Sequence, residues 1–437
     1  MNTIIPFPVP DGEEYRDTRL RYHVYSYHGV TPDGLSYTRS FITIQDGYRI
    51  IRRFTRLHEF AGIYEKAVYI PVSSNPEAKL YYICAMLNYV IVDHGDEFSV
   101  HHVFDITKAM LEHFFYWYAQ TPKADGGHRG KETVERCIYA VAGFMYKLWR
   151  IYGGYMKISA ADLYHDEYYY TNRREKRVRS VPSFRVRGIQ DARHLFRDLP
   201  TSVVELLIPL AFRHARDIAF AICLQLFAGL RAGEAMSVRQ ESSPLGRGIR
   251  FTSSEGKTVK VEIDLTRDFS LRSDRKKTGR IKKKRKQCVY PPFITAFCQA
   301  YAYHKQYLET SSYEEQYSPM FVNRDGMAMS YESYSEKFSS QVRDHLCPEL
   351  LQSKDPGHHL YGQLLCENSL QTHACRHWFS VQLVLHGEDI AGVQYWRGDS
   401  SPESAFAYLQ EKGDLNRELA ETNERLLGIL LQTGKEM

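Results

Sequence analysis

The sequence has no CxxC pair among its eight cysteines. That argues against a disulfide framework or a zinc ribbon in a chain of 437 residues, and the thiols read as reduced core groups. The stretch richest in metal-ligand types, His345, Cys347, His358, His359 and Cys366, is irregularly spaced, and no metal is expected. The longest apolar run, Ile218 to Leu230, is interrupted by Gln225. It is shorter than the roughly 18 to 20 residues a bilayer span needs, so no membrane helix is expected. The opening MNTIIPFPVPDGEEY lacks the basic start and apolar core of a secretory signal, which predicts a cytoplasmic protein. Acidic residues are scarce in two places: RKKTGRIKKKRK, 275–286, has none, and RREKRVRSVPSFRVR, 173–187, has one.

The content that remains is that of a globular chain, 43% hydrophobic and 13% aromatic, with room for more than one core. A net charge of +5 says little about partners, but the two basic runs attract phosphates and point to nucleic acid. Arg173, Arg174, Lys176, Arg177, Arg179, Arg185 and Arg187 in one run, with Lys276, Lys283 and Lys284 in the other, are the expected backbone contacts.

Periodicity divides the chain. Residues 1–75, rich in Tyr, Pro and Gly, contain a short hairpin pattern in GVTPDGLSYTRSFITIQDGYRII and carry no legible chemistry. From 76 to 172 the pattern is helical: FDITKAMLEHFFYWYAQ with a cap at Asp105, then KETVERCIYAVAGFMYKLWRIYGG with Val134, Cys137, Ile138, Val141, Met145 and Leu148 on one face. Residues 173–196 read as a basic linker, with breakers at Pro182 and Gly188. Thr201-Ser202 can cap VVELLIPLAF, a helix from Arg213 runs to Gly229, and GIRFTSS, TVKVEIDLT and QCVYPPF read as strands. The fold class is mainly α with a small antiparallel β-sheet. In the tail, 413–437, Leu415, Leu419, Leu426 and Leu430 share a helical face suited to docking on a neighbouring copy or on its own domain.

Three short stretches carry the chemistry. LQLFAGLRAGEAMSV places Arg231 at the end of an uncharged run, with Glu234 three residues on. THACRHWFSVQLVLHGED puts His373 and Arg376 on the first turn of a helix capped by Thr372, with His377 beside them. WRGDSSPESAFAYL has Trp396, a turn at Arg397-Gly398-Asp399 and a helix start at Ser401-Pro402, with Tyr408 nine residues past Asp399.

In that order, GLRAGE, a basic strand turn, THxxRH and a tyrosine nine residues after a glycine-containing turn, the chain resembles the tyrosine recombinase (phage integrase) family over roughly 197–412. The helices before it are similar to the family's core-binding domain. The resemblance implies a DNA recombinase in which Arg231 and Arg376 hold the scissile phosphate, His373 assists, and Tyr408 attacks to form a 3′-phosphotyrosine. Two always-charged forks can stabilise such a phosphate without a metal, and no cofactor is implied. Glu234, His377 and Trp396 are the expected supporting groups. It further implies double-stranded DNA as substrate, a homo-tetramer on paired sites and a place on the bacterial nucleoid. Two departures stand out. Asp399 occupies the place of the family's His or Trp; either it points away to orient His373 or an arginine, or Trp396 or Arg397 supplies the donor. The interval that should hold the leaving-group lysine is enlarged: Lys282 and Lys277 are the candidates, with Lys257 third. A type IB topoisomerase and a binding-only protein of the same fold are the alternatives, and Tyr395 is the reserve nucleophile.

Overall fold

The computed structural model describes residues 20–63, 76–122, 127–170, 175–189, 199–274, 277–310, 317–398, 426 and 428–434. They fall into two compact units, one holding residues 20–27 and 38–189, the other 28–37 and 199–434. No helix among the described residues is long and apolar enough to cross a membrane.

In the first unit the hairpin pattern becomes a three-stranded antiparallel sheet of β1 (Arg21–Val30), β2 (Ser36–Gln45) and β3 (Ile51–Phe54), whose tip residues 28–37 belong to the second unit. Helices α1 (Pro76–Leu87), α2 (Gly95–Phe98), α3 (Lys108–Gln120), α4 (Lys131–Tyr152) and α5 (Ala160–Leu163) follow. The six apolar residues read from the periodicity of α4 are all buried, and they form its side of the core. Asp105 does not cap α3. It accepts the N–H groups of His101 and His102, closing a 3₁₀ turn, and Ile106 and Thr107 run extended before the helix begins.

Part of the stretch read as a linker, residues 176–182, is a paired strand. β4 (Tyr164–Tyr170) and β5 (Lys176–Pro182) form an antiparallel ribbon in register from Tyr164↔Pro182 to Tyr170↔Lys176, and it belongs to the first unit. Polar and aromatic residues occupy both faces of these strands, so the apolar/polar alternation that normally betrays a strand is missing.

The second unit is built on α6 (Thr201–His214) and α7 (Arg216–Ala228), followed by α8 (Ala232–Ala235), the antiparallel sheet β6 (Ile249–Ser254), β7 (Lys257–Leu265), β8 (Arg285–Cys288), and α9 (Ile294–Thr310), α10 (Tyr331–Gln341), α11 (Cys347–Gln352), α12 (Pro356–Glu367), α13 (His373–Leu385) and α14 (Ile390–Arg397). Ala215 breaks the helix expected from Arg213, so α7 starts at Arg216. Its residues Ile218 to Ala228 are all buried, which is why a run without charges can be a helix here rather than a span. The third strand is shorter than its pattern because Pro291 and Pro292 cannot donate to a ladder. Thr201 is not a cap: its Oγ1 accepts from Trp378 Nε1 at 3.2 Å, tying α6 to α13. Thr372 likewise makes no side-chain cap bond. Leu426 and Leu430 are buried in the core of their own unit, and the Leu430 carbonyl accepts from the Tyr303 hydroxyl at 2.9 Å.

Candidate active site

The chain must leave the buried α7 abruptly. Gly229 does this in the left-handed region at φ 62°, and a Cβ there would collide with the Phe379 ring. Two residues later Arg231 occupies the N-terminal end of α8. Its backbone N–H and its Nη1 donate to the two carboxylate oxygens of Glu234 at 3.1 and 3.0 Å, leaving the side chain 23% exposed. Glu234 is fully buried.

A second guanidinium closes on the same carboxylate. Arg285, on β8, reaches Glu234 Oε1 and Oε2 through Nη1 and Nη2 at 3.0 and 2.9 Å. Its Nε donates to Gln287 Oε1 at 2.6 Å, and Gln287 Nε2 donates to the Trp396 carbonyl at 2.7 Å, so β8 is tied to the end of α14. Burial would raise the Glu234 carboxyl. The hydrogen bonds and charge of Arg285, with the charge and backbone N–H of Arg231, outweigh it and hold the group below the ordinary carboxylate range. One carboxylate between two guanidiniums leaves a net positive centre with Arg231 at its exposed edge.

Arg376 joins the remaining segments. It is 1% exposed, and its Nη1 donates to the Gly229 carbonyl while its Nη2 donates to the Arg397 carbonyl at 2.8 Å. Arg397 in turn donates to Ser380 Oγ at 2.8 Å. His373 is exposed and Arg376 buried, so the pair read as sharing one face is divided between surface and interior. Trp396 is half-buried with its Nε1 on Glu388 Oε1 at 3.1 Å, and His377 is half-buried. Gly398 ends α14 at φ 62°, and a Cβ there would run into the Arg285 side chain at Nε. The glycine of the WRGD turn is thus fixed by the second arginine of the cluster.

Lys277 and Lys282 are both exposed in the connection from β7 to β8. That connection is seated on α8 by a glycine pair, since a Cβ on Gly279 would overlap the Gly233 carbonyl oxygen. The seat brings the KTG turn, with Lys277, against the helix of Arg231, whereas Lys282 stands three residues before β8. Lys257 opens β7 at the far turn of the sheet. Lys283, Arg285, Gln287, Tyr395, Trp396 and Gly398 line a half-open cleft of about 310 Å³, and Lys284 is exposed nearby in the chain. Lys176, Arg177, Arg179, Arg185 and Arg187 lie in the first unit and are exposed. Asp399, Tyr408, Arg173, Arg174 and Lys276 lie outside the described residues.

Among the described residues no group of three or more His, Cys, Asp or Glu is placed to hold a metal. His358 Nδ1 is bonded to Ser353 Oγ and His359 Nδ1 to the Leu351 carbonyl, while Cys347 Sγ lies 3.8 Å from Cys366 Sγ.

Sequence reasoning missed Arg285 and Asp268. Arg285 is one of many cations in its run, and the signal that distinguishes it is strand alternation, which turns Gln287 and the Arg285 fork inward. Asp268 is the acid beneath the basic connection. Burial pushes its carboxyl up to about 6 in spite of Lys277, Arg280, Lys284 and the Ile281 N–H, which all lower it. A raised carboxyl in the folded state is a stabilising contribution below about pH 4 that is lost as pH rises through 6. Asp268→Asn should therefore match the parent's stability at pH 4 and exceed it by about 3 kcal/mol at pH 8. Paired denaturation curves check this, and an equal offset at both pH values would contradict it.

Fold and site together define a mainly helical protein whose second unit converges Arg231 and Glu234 of α8, Arg285 of β8 and Arg376 of α13, three separate elements. No family model and no curated protein matches the chain. Among solved structures it is similar to the XerH site-specific recombinase bound to palindromic difH substrate, at 15% identity and a TM-score of 0.46 over 79% of each chain. It is also similar to the Tn1549 transposon integrase in complex with a circular intermediate DNA, at 13% identity and a TM-score of 0.48 over 80% of this chain and 94% of that one. A third is the integrase from mycobacterium phage Brujita, at 15% identity and a TM-score of 0.25 over 82% and 92%.

Proposed function

We propose that this chain is a site-specific DNA recombinase of the tyrosine type, cutting and rejoining duplex strands through a 3′-phosphotyrosine. The observation that carries the reading is the Glu234 clamp: GLRAGE, the basic strand and the WRGD turn are far apart in sequence yet meet around one buried carboxylate. The clamp aims Arg231 outward as a fixed positive fork, the group a phosphodiester needs as charge grows on its non-bridging oxygens. Arg376, locked to the two carbonyls beside Arg231 and Gly398, adds positive potential from below. His373 at the exposed start of α13 is the proton-handling group beside the phosphate.

Tyr408 Oη attacks phosphorus as its proton passes to the His373 imidazole, and the bond to the 5′ oxygen breaks as that oxygen takes a proton from a lysine ammonium. The freed 5′ hydroxyl of a partner strand reverses the step, so the bond energy is conserved and no cofactor enters. Four copies on paired sites complete a strand exchange. A chain that binds duplex DNA and forms no denaturant-resistant adduct on a nicked duplex would instead be binding-only, a reading favoured by the burial of Arg376.

The lysine is identified by its leaving group. Removing the proton donor should slow cleavage of an ordinary phosphodiester by about a hundredfold or more. A substrate with sulfur at the bridging 5′ position leaves without a proton and should be cut at the parental rate. Lys277, seated against α8, is expected to show this pattern, with Lys277→Ala and Lys282→Ala compared side by side. If Lys282→Ala shows it and Lys277→Ala does not, the donor is Lys282.

A further inference from the structure

The β4–β5 ribbon is anchored along half its length. At its base Tyr164 packs on Tyr146 with ring centroids 5.4 Å apart, Val181 and Pro182 are buried, and Phe184 meets Phe115 at 5.1 Å in the first unit's core. Beyond Glu167 no described residue covers either face of the ribbon. Tyr168 is 62% exposed, Tyr170 71% and Val178 52%.

A bare two-stranded ribbon does not stabilise itself in water, and a contiguous exposed aromatic patch marks a place where something binds. The register sorts the side chains. Tyr168 and Tyr170 share a face with their partners Val178 and Lys176, and Tyr169 shares the other with Arg177 and Arg179. Lys176 Nζ lies 4.3 Å from the Tyr168 ring centroid, and the Arg179 guanidinium 5.6 Å from that of Tyr169. Glu167 and Glu175 are the carboxylates bonded to Arg179 and Arg177.

Charge selects the partner. The described residues from 164 to 187 hold Lys176, Arg177, Arg179, Arg185 and Arg187 against Asp166, Glu167 and Glu175, a surplus that suits a polyanion. Dimensions select its form. The free segment of three residues per strand spans roughly 10 Å, and the DNA major groove, about 12 Å wide, admits a two-stranded ribbon. We propose that the outer half of the β4–β5 ribbon is a groove-reading arm for duplex DNA, with Tyr168 and Tyr170 facing base edges and Arg177 and Arg179 reaching the phosphate walls. The inference rests on the DNA-acting reading above and adds to it a source of sequence preference in the first unit. The rings offer an apolar surface to thymine methyls and a hydroxyl to base edges, and the arginines exchange Glu167 and Glu175 for phosphate oxygens.

The test compares the full chain with Tyr168→Thr/Tyr170→Thr and Arg177→Ala/Arg179→Ala, using short random-sequence duplexes, a selected tight-binding duplex and the matching single strand, each over a range of salt. Threonine keeps the strand preference, so melting temperatures should be unchanged. The tyrosine variant should lose about tenfold on the selected duplex, less on random duplexes, with its salt slope intact. The arginine variant should weaken on all duplexes alike, with a slope lower by roughly one for each phosphate no longer neutralised. Parental affinity in the tyrosine variant would overturn the proposal, as would a loss confined to the single strand, or a loss only of self-association in sedimentation. A parent that binds no duplex at all would refute the DNA-acting reading itself, which separates the two failures.

Discussion

Tyr408→Phe is expected to reduce covalent protein–DNA adduct on a nicked duplex by at least about a thousandfold, equivalent to roughly 4 kcal/mol of barrier. Duplex affinity should stay within about twofold, because a phenol oxygen is one small part of a large interface. The reason is chemical. A phenol with an ordinary pKa near 10 attacks at neutral pH only in a strongly positive field or beside a proton acceptor. The Glu234 clamp leaves such a field at Arg231, and in the proposed mechanism the nucleophile is Tyr408, nine residues past Asp399 in the sequence. Tyr395 is the control. It is 70% exposed and lines the cleft with Arg285 and Gly398. Adduct that survives Tyr408→Phe and vanishes with Tyr395→Phe would transfer the role to Tyr395.

The second large effect concerns Glu234→Ala. Removing one carboxylate from between two guanidiniums, one 23% and the other 11% exposed, leaves like charges facing each other with little water to screen them. Breaking a buried pair from one side typically costs about 3–5 kcal/mol, and a loss of that size is expected in chemical denaturation. Because the Glu234 carboxyl is held low in the folded state, its contribution is present above about pH 4.5 and lost as pH falls. The parent should therefore converge towards the variant in acid. Glu234→Leu combined with Arg285→Leu removes the orphaned charge and should recover much of the stability, yet cleavage should stay down by about a hundredfold since Arg231 has lost its brace. A Glu234→Ala chain within about 1 kcal/mol of the parent would mean that the guanidiniums turn out to water.

The legible parts of this protein were those in which local chemistry and burial agree. Apolar spacing in α4 named six core residues because that helix has one dry face. Arg231 and Gly398 were legible because a charge leaving a buried helix and a glycine closing one are local requirements. The arm from Tyr164 to Pro182 was not, since strands exposed on both faces carry no alternation to read. Arg285 was hidden for a different reason. Among the cations of its run strand alternation is the one sequence signal that sets it apart, and its pairing with Glu234 is visible only in the fold. Caps failed where a hydroxyl found a better partner, as Thr201 did in Trp378.

The tail has a practical meaning for where this domain stops. Its chemistry, read as ending near 412, would suggest a protein complete at that point, but Leu426 and Leu430 are fully buried and Tyr303 is bonded to the backbone of 430. A chain shortened to the last reactive residue would not lose a loose end. It would uncover the part of the core that Leu426 and Leu430 fill, beside Tyr303, and exposed core surface invites clumping. The boundary that matters to an expression host is therefore set by waterproofing, some twenty residues past the end read from the motifs.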